Sequence, residues 1–165
     1  MLNVEIGSCG CELRIDSQAG TVFRRSLRVG GDAFDKAIVG HLQRAYNLMI
    51  GERNAEEIKI QIGSALPLEP ELTMEIKGRD LITGVPKAVS VGSQEIREAF
   101  REALSAILES IRQTATHGPW EFAADLAGQG IVLAGGGARL RGLDRLVARE
   151  TCLPVQIAED RETCP

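Results

Sequence analysis

The stretch with the most chemical promise is "GIVLAGGGARLRGLDRLV", residues 130–147. There Gly135, Gly136 and Gly137 separate an apolar, strand-like run from an amphipathic, helix-like one. Consecutive glycines in that position let backbone N–H groups approach an anion, and the positive end of a following helix adds to the attraction. The same residues also suit a strand-to-helix turn that needs positive φ and close packing, and the local pattern leaves both readings open. Neither G-x-G-x-x-G nor G-x-x-x-x-G-K-[ST] is present, because Ala138 and Arg139 follow the glycines where the latter motif calls for a lysine. A second small-residue turn, Gly7-Ser8-Cys9-Gly10, lies between two β-rich runs near the start of the chain.

Other reactive residues carry weaker signals. Cys9 and Cys11 form a C-x-C pair, yet no histidine is nearby and Cys152 and Cys164 are distant in sequence. That spacing matches no zinc or disulfide framework, so reduced cytoplasmic thiols filling a turn are expected. His41 and His117 are isolated, one on a helix and one in a polar turn. Arg24, Arg25 and Arg28 read as a solvated strand face. Glu56, Glu57 and Lys59 read as an exposed helix start with favourable charge order, and Trp120 as a burial anchor after Pro119.

These residues need a scaffold. The 165 residues make one domain's worth of chain or two small lobes. With 44% hydrophobic residues, 25% charged residues and a net charge of -4, the balance is that of a globular protein without the basic face a nucleic-acid partner requires. Apolar runs are much shorter than the ~20 residues of a membrane span, and "MLNVEIGSCG" has no signal-peptide pattern. "NVEIG", "CELRID" and "TVFRRSLRV" predict a strand meander with a turn at Gln18-Ala19-Gly20. Asp32 is expected to cap a helix carrying Phe34, Ala37, Ile38, Leu42, Ala45 and Leu48. Asn54 should cap a second helix, "AEEIKIQIGSA". "LTMEIKGRD" and "KAVSVG" predict two strands, and Ser93 should cap the longest helix, with Ile96, Phe100, Leu104, Ile107 and Ile111 on one face. A helix after Pro119, the strand "GIVLA", the helix "LDRLVARET" and the strand "PVQIA" complete the chain. The fold class is α/β, with a larger lobe from residues 1–31 and 93–165 and a smaller lobe inserted at 32–92.

Taken in order, "VEIGSCGCEL", "RVGGDAFD", "GERNAEEIKIQIG", "KGRDLITGVPK" and "GIVLAGGGARLRGLD" resemble the C-terminal half of MreB, the rod-shape-determining bacterial actin family, across essentially the whole chain. The resemblance implies the second half of an actin-like ATPase fold, a ribonuclease-H-like lobe with a smaller α/β insertion. It also implies a cytoskeletal filament that uses ATP with Mg²⁺, organises cell-wall synthesis and maintains rod shape. By the same resemblance, Gly135, Gly136, Gly137 and Ala138 would lie beside the sugar and phosphates of ATP. Glu56, Glu57, Ile58 and Lys59 of "AEEIK" would border the adenosine. Gly7, Ser8 and Cys9 would form the second phosphate loop, and Glu5 would act on magnesium through water.

That loop departs from the family pattern D-I-G-G-G-T-T-E. Glu5 replaces an aspartate, Ser8 and Cys9 add side chains where glycines are usual, and Gly10 and Cys11 remove two hydroxyls. Magnesium's strict octahedral geometry tolerates such changes poorly. The first phosphate loop and the water-positioning glutamate belong to the family's other half. The expectation is therefore a truncated relative defective in ATP hydrolysis. Its partners would be copies of itself, full-length filament subunits or membrane-linked shape proteins, in the cytoplasm or at the inner face of the membrane. The competing expectation is a non-catalytic interaction module that binds filaments or a partner without nucleotide. A chaperone-type or sugar-kinase ATPase fits "GRDLITGVPK" less well.

Overall fold

The computed structural model describes residues 1–17, 20–117 and 127–158. A five-stranded sheet has the order β3-β2-β1-β7-β8. Its strands are β1 (Leu2–Ile6), β2 (Cys11–Ser17), β3 (Gly20–Leu27), β7 (Ile131–Ala134) and β8 (Val155–Ile157). The first three form an antiparallel meander, whereas β7 pairs in parallel with both β1 and β8. Alternation along β1 and β2 sends Leu2, Val4, Ile6, Cys11, Leu13 and Ile15 into the core and leaves Glu5 exposed on the opposite face.

Between the meander and β7 lie α1 (Gly31–Tyr46), α2 (Glu52–Ile62), α3 (Ser93–Ala99) and α4 (Arg101–His117). The same span carries a three-stranded antiparallel sheet of β4 (Leu48–Met49), β5 (Thr73–Asp80) and β6 (Pro86–Gly92). After β7, a 3-10 turn at Gly136–Arg139 leads to α5 (Leu143–Thr151). Apolar faces of these helices close one core: Phe34, Ile38 and Leu42 from α1, Ile58 and Ile62 from α2, Ile96 from α3, Leu104, Ile107 and Ile111 from α4, and Leu143 and Val147 from α5. Phe100, fully buried between α3 and α4, meets the Phe34 ring edge-on at 5.0 Å.

Three expected caps are corrected. Asp32 lies in the first turn of α1 without capping it, because loop carbonyls serve instead: Gly31 N–H donates to Gly7 O at 2.9 Å and Asp32 N–H to Ser8 O at 2.7 Å. Helix α2 begins at Glu52 after Gly51, so Asn54 is internal to the first turn and Glu52 supplies the acidic charge there. Ser93 opens α3 rather than the longest helix. Its hydroxyl accepts Leu72 N–H at 2.9 Å and donates to the Glu71 carboxylate, pinning the loop before β5. Leu48 belongs to β4, since Asn47 ends α1 in the left-handed conformation. Gln18, Ala19, Pro119 and Trp120 lie outside the described residues.

Glu71 is also held by the Arg97 guanidinium at 3.0 Å, and Arg97, then Ser93, keep its carboxyl below the usual carboxylate range. A depressed folded pKa stabilises above the unfolded value and is lost as pH falls through the folded one. Thermal melts across acid pH should show stability falling from about pH 4.5 downward, and E71Q should flatten that slope; an unchanged slope would refute the role. Separately, Phe100→Ala should cost about 3–5 kcal/mol in urea unfolding, because a large fully buried ring leaves a cavity.

Candidate functional site

Residues 7–10 follow β1 and the glycine turn follows β7, and both leave the same end of the parallel β1–β7 pair. From there the chain runs outward in opposite directions, to β2 on one side and toward β8 on the other. Such a switch point, at the carboxyl ends of parallel strands, is where open α/β sheets form ligand crevices. A cavity of about 420 Å³ lies here, with Gly7 and Ser8 on one side and Gly136 and Gly137 on another. Helix α1 contributes Asp32, Phe34 and Asp35, and α2 contributes Glu56, Lys59 and Ile60. Arg139, Leu140 and Arg141 complete much of the wall.

The three glycines have different reasons to be glycine. Gly135 has φ +84°, and a Cβ there would stand 2.5 Å from Ile6 O. A Cβ on Gly137 would stand 2.3 Å from Ile6 Cγ2. Both are forced by the close approach of β1. Gly136 is different: among the described residues a Cβ there would meet nothing within 4 Å, and the residue lines the cavity. The helix expected at "LDRLVARET" is found at Leu143–Thr151, and a short 3-10 turn at Gly136–Arg139, rather than that helix's N-terminus, directly follows the first glycine. Gly136 and Gly137 open that turn, so their N–H groups have no partner within it.

Lys59 and Asp35 join α2 to α1. The Lys59 Nζ is 2.9 Å from Asp35 Oδ1 and 3.4 Å from Gly31 O. Asp35 Oδ1 is buried, and Lys59 is the cation that meets it. Burial raises the Asp35 pKa and Lys59 pulls it back. Arg141 Nη1 donates to Gln61 O at 2.7 Å. Acidic Asp32, Asp35 and Glu56 thus match Lys59, Arg139 and Arg141 in number around the cavity.

Of the residues singled out in the sequence, Gly7, Ser8, Glu56, Lys59, Gly136 and Gly137 line this cavity; Cys9, Glu57, Ile58, Gly135 and Ala138 do not. Ile58 and Ala138 are buried in the core, and Glu57 is exposed and accepts from Gln61 Nε2 at 3.0 Å. Cys9 is exposed beside Asp32, with Sγ 3.7 Å from Oδ2. Cys11 faces the core, where burial pushes its thiol up to about 11, so the two cysteines share no face. Glu5 lies across from Glu12 on the exposed sheet face, outside the cavity lining. Among the described residues no three His, Cys, Asp or Glu side chains are grouped to hold a metal ion. His41, expected to be a surface or satisfied histidine rather than a ligand, is satisfied by Glu95, with Nε2 3.0 Å from Oε1.

Sequence reasoning missed Asp35, Ile60 and Arg141. Asp32 and Asp35, three apart on α1, share a helix face and carried a usable signal. Arg141 carried none, because its partner Gln61 is far away in sequence. No helix among the described residues is long and apolar enough to cross a membrane.

The chain matches the MreB/Mbl protein family over residues 1–165. It is 44% identical over 161 residues to the cell shape-determining protein MreB of Escherichia coli K12, covering 98% of this chain and 46% of that protein. It is 37% identical to the cell shape-determining protein Mbl of Bacillus subtilis 168, covering 98% of this chain and 48% of that protein. The crystal structure of Spiroplasma citri MreB5 bound to AMPPNP superimposes with a TM-score of 0.91 at 36% identity, over 95% of this chain and 47% of that one. The MamK double helical filament shares the fold at 23% identity and a TM-score of 0.79, over 99% of this chain and 50% of that one. The chain spans about half the length of the relatives it matches.

The glycine geometry predicts a split. Gly137→Ala should destabilise by about 1–3 kcal/mol through overpacking against Ile6, whereas Gly136→Ala should stay within about 0.5 kcal/mol. Paired thermal melts of the two variants check this, and equal losses would contradict it.

Proposed function

Because this chain belongs to the MreB/Mbl family and has the actin-like α/β fold of its relatives, we propose that it forms one wall of a nucleotide site in a filament-forming protein that determines cell shape. The observation that carries the reading is Gly136. It is the one glycine of the three whose lack of a side chain serves no contact within the chain, and it faces the cavity. That open space on the cavity side leaves room for an external group to approach the backbone. Apolar Phe34, Ile60 and Leu140 with convergent Asp35, Glu56 and Lys59 suit a nucleoside, since small-ligand pockets combine apolar walls with a few polar groups. The relative bound to AMPPNP supports the same ligand class.

The fit is partial. ATP is a polyanion, and the lining offers equal numbers of acidic and basic side chains, with Lys59 answering Asp35 and Arg141 held on Gln61. The residues do not fit magnesium: Glu5 is outside the cavity lining and faces a second carboxylate, Glu12, which Arg24 contacts at 3.5 Å. What these residues do is therefore binding and orientation. Gly136 and Gly137 present N–H groups, Lys59 and Glu56 flank the sugar or base, and Ile60 covers an apolar face. Copies of this chain or full-length filament subunits are the proposed partners, with membrane-linked shape proteins beyond them and ATP turnover at background.

The same charge balance favours a second reading, a module that contacts filaments without nucleotide. One titration separates the two. Calorimetry with ATP and Mg²⁺ should give about millimolar affinity, near -4 kcal/mol, and Gly136→Val should abolish it. A titration that the valine leaves unchanged would remove the cavity from the site. Phosphate release above background that Glu5→Ala abolishes would overturn the non-hydrolytic part.

A further inference from the structure

The cavity has walls from separate parts of the chain, and Arg141 touches both. It lines the cavity just after the glycine turn, while its side chain reaches back to the end of α2, where Nη1 donates to Gln61 O at 2.7 Å. Its main chain engages the residues that follow the same helix: Ala65 N–H donates to Arg141 O at 2.8 Å, and Ser64 and Arg141 form a parallel β-bridge. Gly142, at φ +78°, lets the chain pass so close to Leu66 that a Cβ would stand 3.1 Å from the Leu66 Cβ. The glycine turn and the C-terminal end of α2 are thereby joined through one residue by both its backbone and its side chain.

The chemistry suits an arginine. The last carbonyls of a helix have no partner within the helix, and that end carries partial negative charge. A guanidinium supplies several donors in a fixed plane as well as a positive charge. Helix α2 is rigid, and Lys59 and Glu56 precede Gln61 by two and five residues. Any shift of its C-terminal end therefore moves both of them relative to Gly136.

We infer that Arg141 is a positioning residue: it fixes the separation between the glycine turn and α2, and so holds Glu56 and Lys59 opposite Gly136. The inference rests on the nucleotide reading of this cavity for its functional consequence, whereas the latch itself is independent of any ligand. The hydrogen bond to Gln61 is exposed and charge-assisted, and its loss should lower the melting temperature by about 3–6 °C, the counterpart of a tenfold change in an equilibrium.

The test compares the full chain with R141M, which keeps the stem and loses the donors, and R141K, which keeps a single donor nitrogen and the charge. Amide hydrogen exchange without ligand reads the latch. In R141M, exchange at Gly63 and Ala65 should rise about tenfold while β1 and β7 stay protected, and R141K should restore much of the protection. Unchanged exchange in R141M, or a uniform rise across the chain, overturns the inference. Titration with AMPPNP and Mg²⁺ then reads the consequence. R141M should bind about tenfold more weakly than the parent, with R141K between them. Raised exchange with unchanged affinity reduces Arg141 to a structural tie and overturns the positioning role. Gly136→Val in the same titration identifies the other failure. If it binds like the parent, the nucleotide reading falls, and the exchange result still decides whether the latch exists.

Discussion

The close approach of Ile6 to the glycine turn is the constraint on which the site depends. Parallel pairing of β1 with β7 brings Leu2 beside Ile131 and Val4 beside Leu133, and at the end of that pair Ile6 fills the space that side chains on Gly135 and Gly137 would need. Gly135 can turn the chain at positive φ only because it has no Cβ. Once the turn is fixed against β1, the loop at residues 7–10 and the turn at 135–139 open on the same side. The cavity between them is a consequence of strand pairing rather than of any local motif.

A second layer of contacts ties the helices to those loops. The carbonyls of Gly7 and Ser8 occupy the first N–H groups of α1, so the loop after β1 sets where α1 begins. The Asp35–Lys59 pair then sets α2 against α1, and Arg141 returns from the glycine turn to the end of α2. The circuit β1, loop, α1, α2, glycine turn and back to β1 is closed by backbone hydrogen bonds, one half-buried ion pair and one arginine. The ion pair orders Lys59 more than it adds net stability, since burying two charges offsets much of their attraction.

This circuit also sets a chemical limit. Lys59 and Arg141 already have acceptors within the chain, and the acidic side chains of the lining match its basic ones. A polyphosphate placed here would therefore meet backbone N–H groups and little surplus positive charge. Glu5, on the face away from the core and beside Glu12, belongs to a different surface of the same sheet. On the proposed reading, this cavity would hold a nucleoside rather than drive transfer of its phosphate.

Much of the scaffold was legible in the residues themselves. Alternation in "NVEIG" and "CELRID", helical spacing of Phe34, Ile38 and Leu42, and the Gly-Ser-Cys-Gly turn are local properties, and hydrophobic period is a local signal. The ordered motifs carried the family as well, because several independent stretches had to agree at once. What the residues could not disclose is which glycine faces outward. Gly135, Gly136 and Gly137 are identical in sequence, and only the arrival of Ile6 from the far end of the chain gives two of them an internal reason and leaves Gly136 without one. The caps at Asp32 and Ser93 followed the same rule, since distant carbonyls and a loop carboxylate claimed those groups first. Arg141 is the clearest case. Its partner Gln61 shares no pattern with it, and their contact exists only because tertiary packing sets the end of α2 beside the chain that follows the glycine turn.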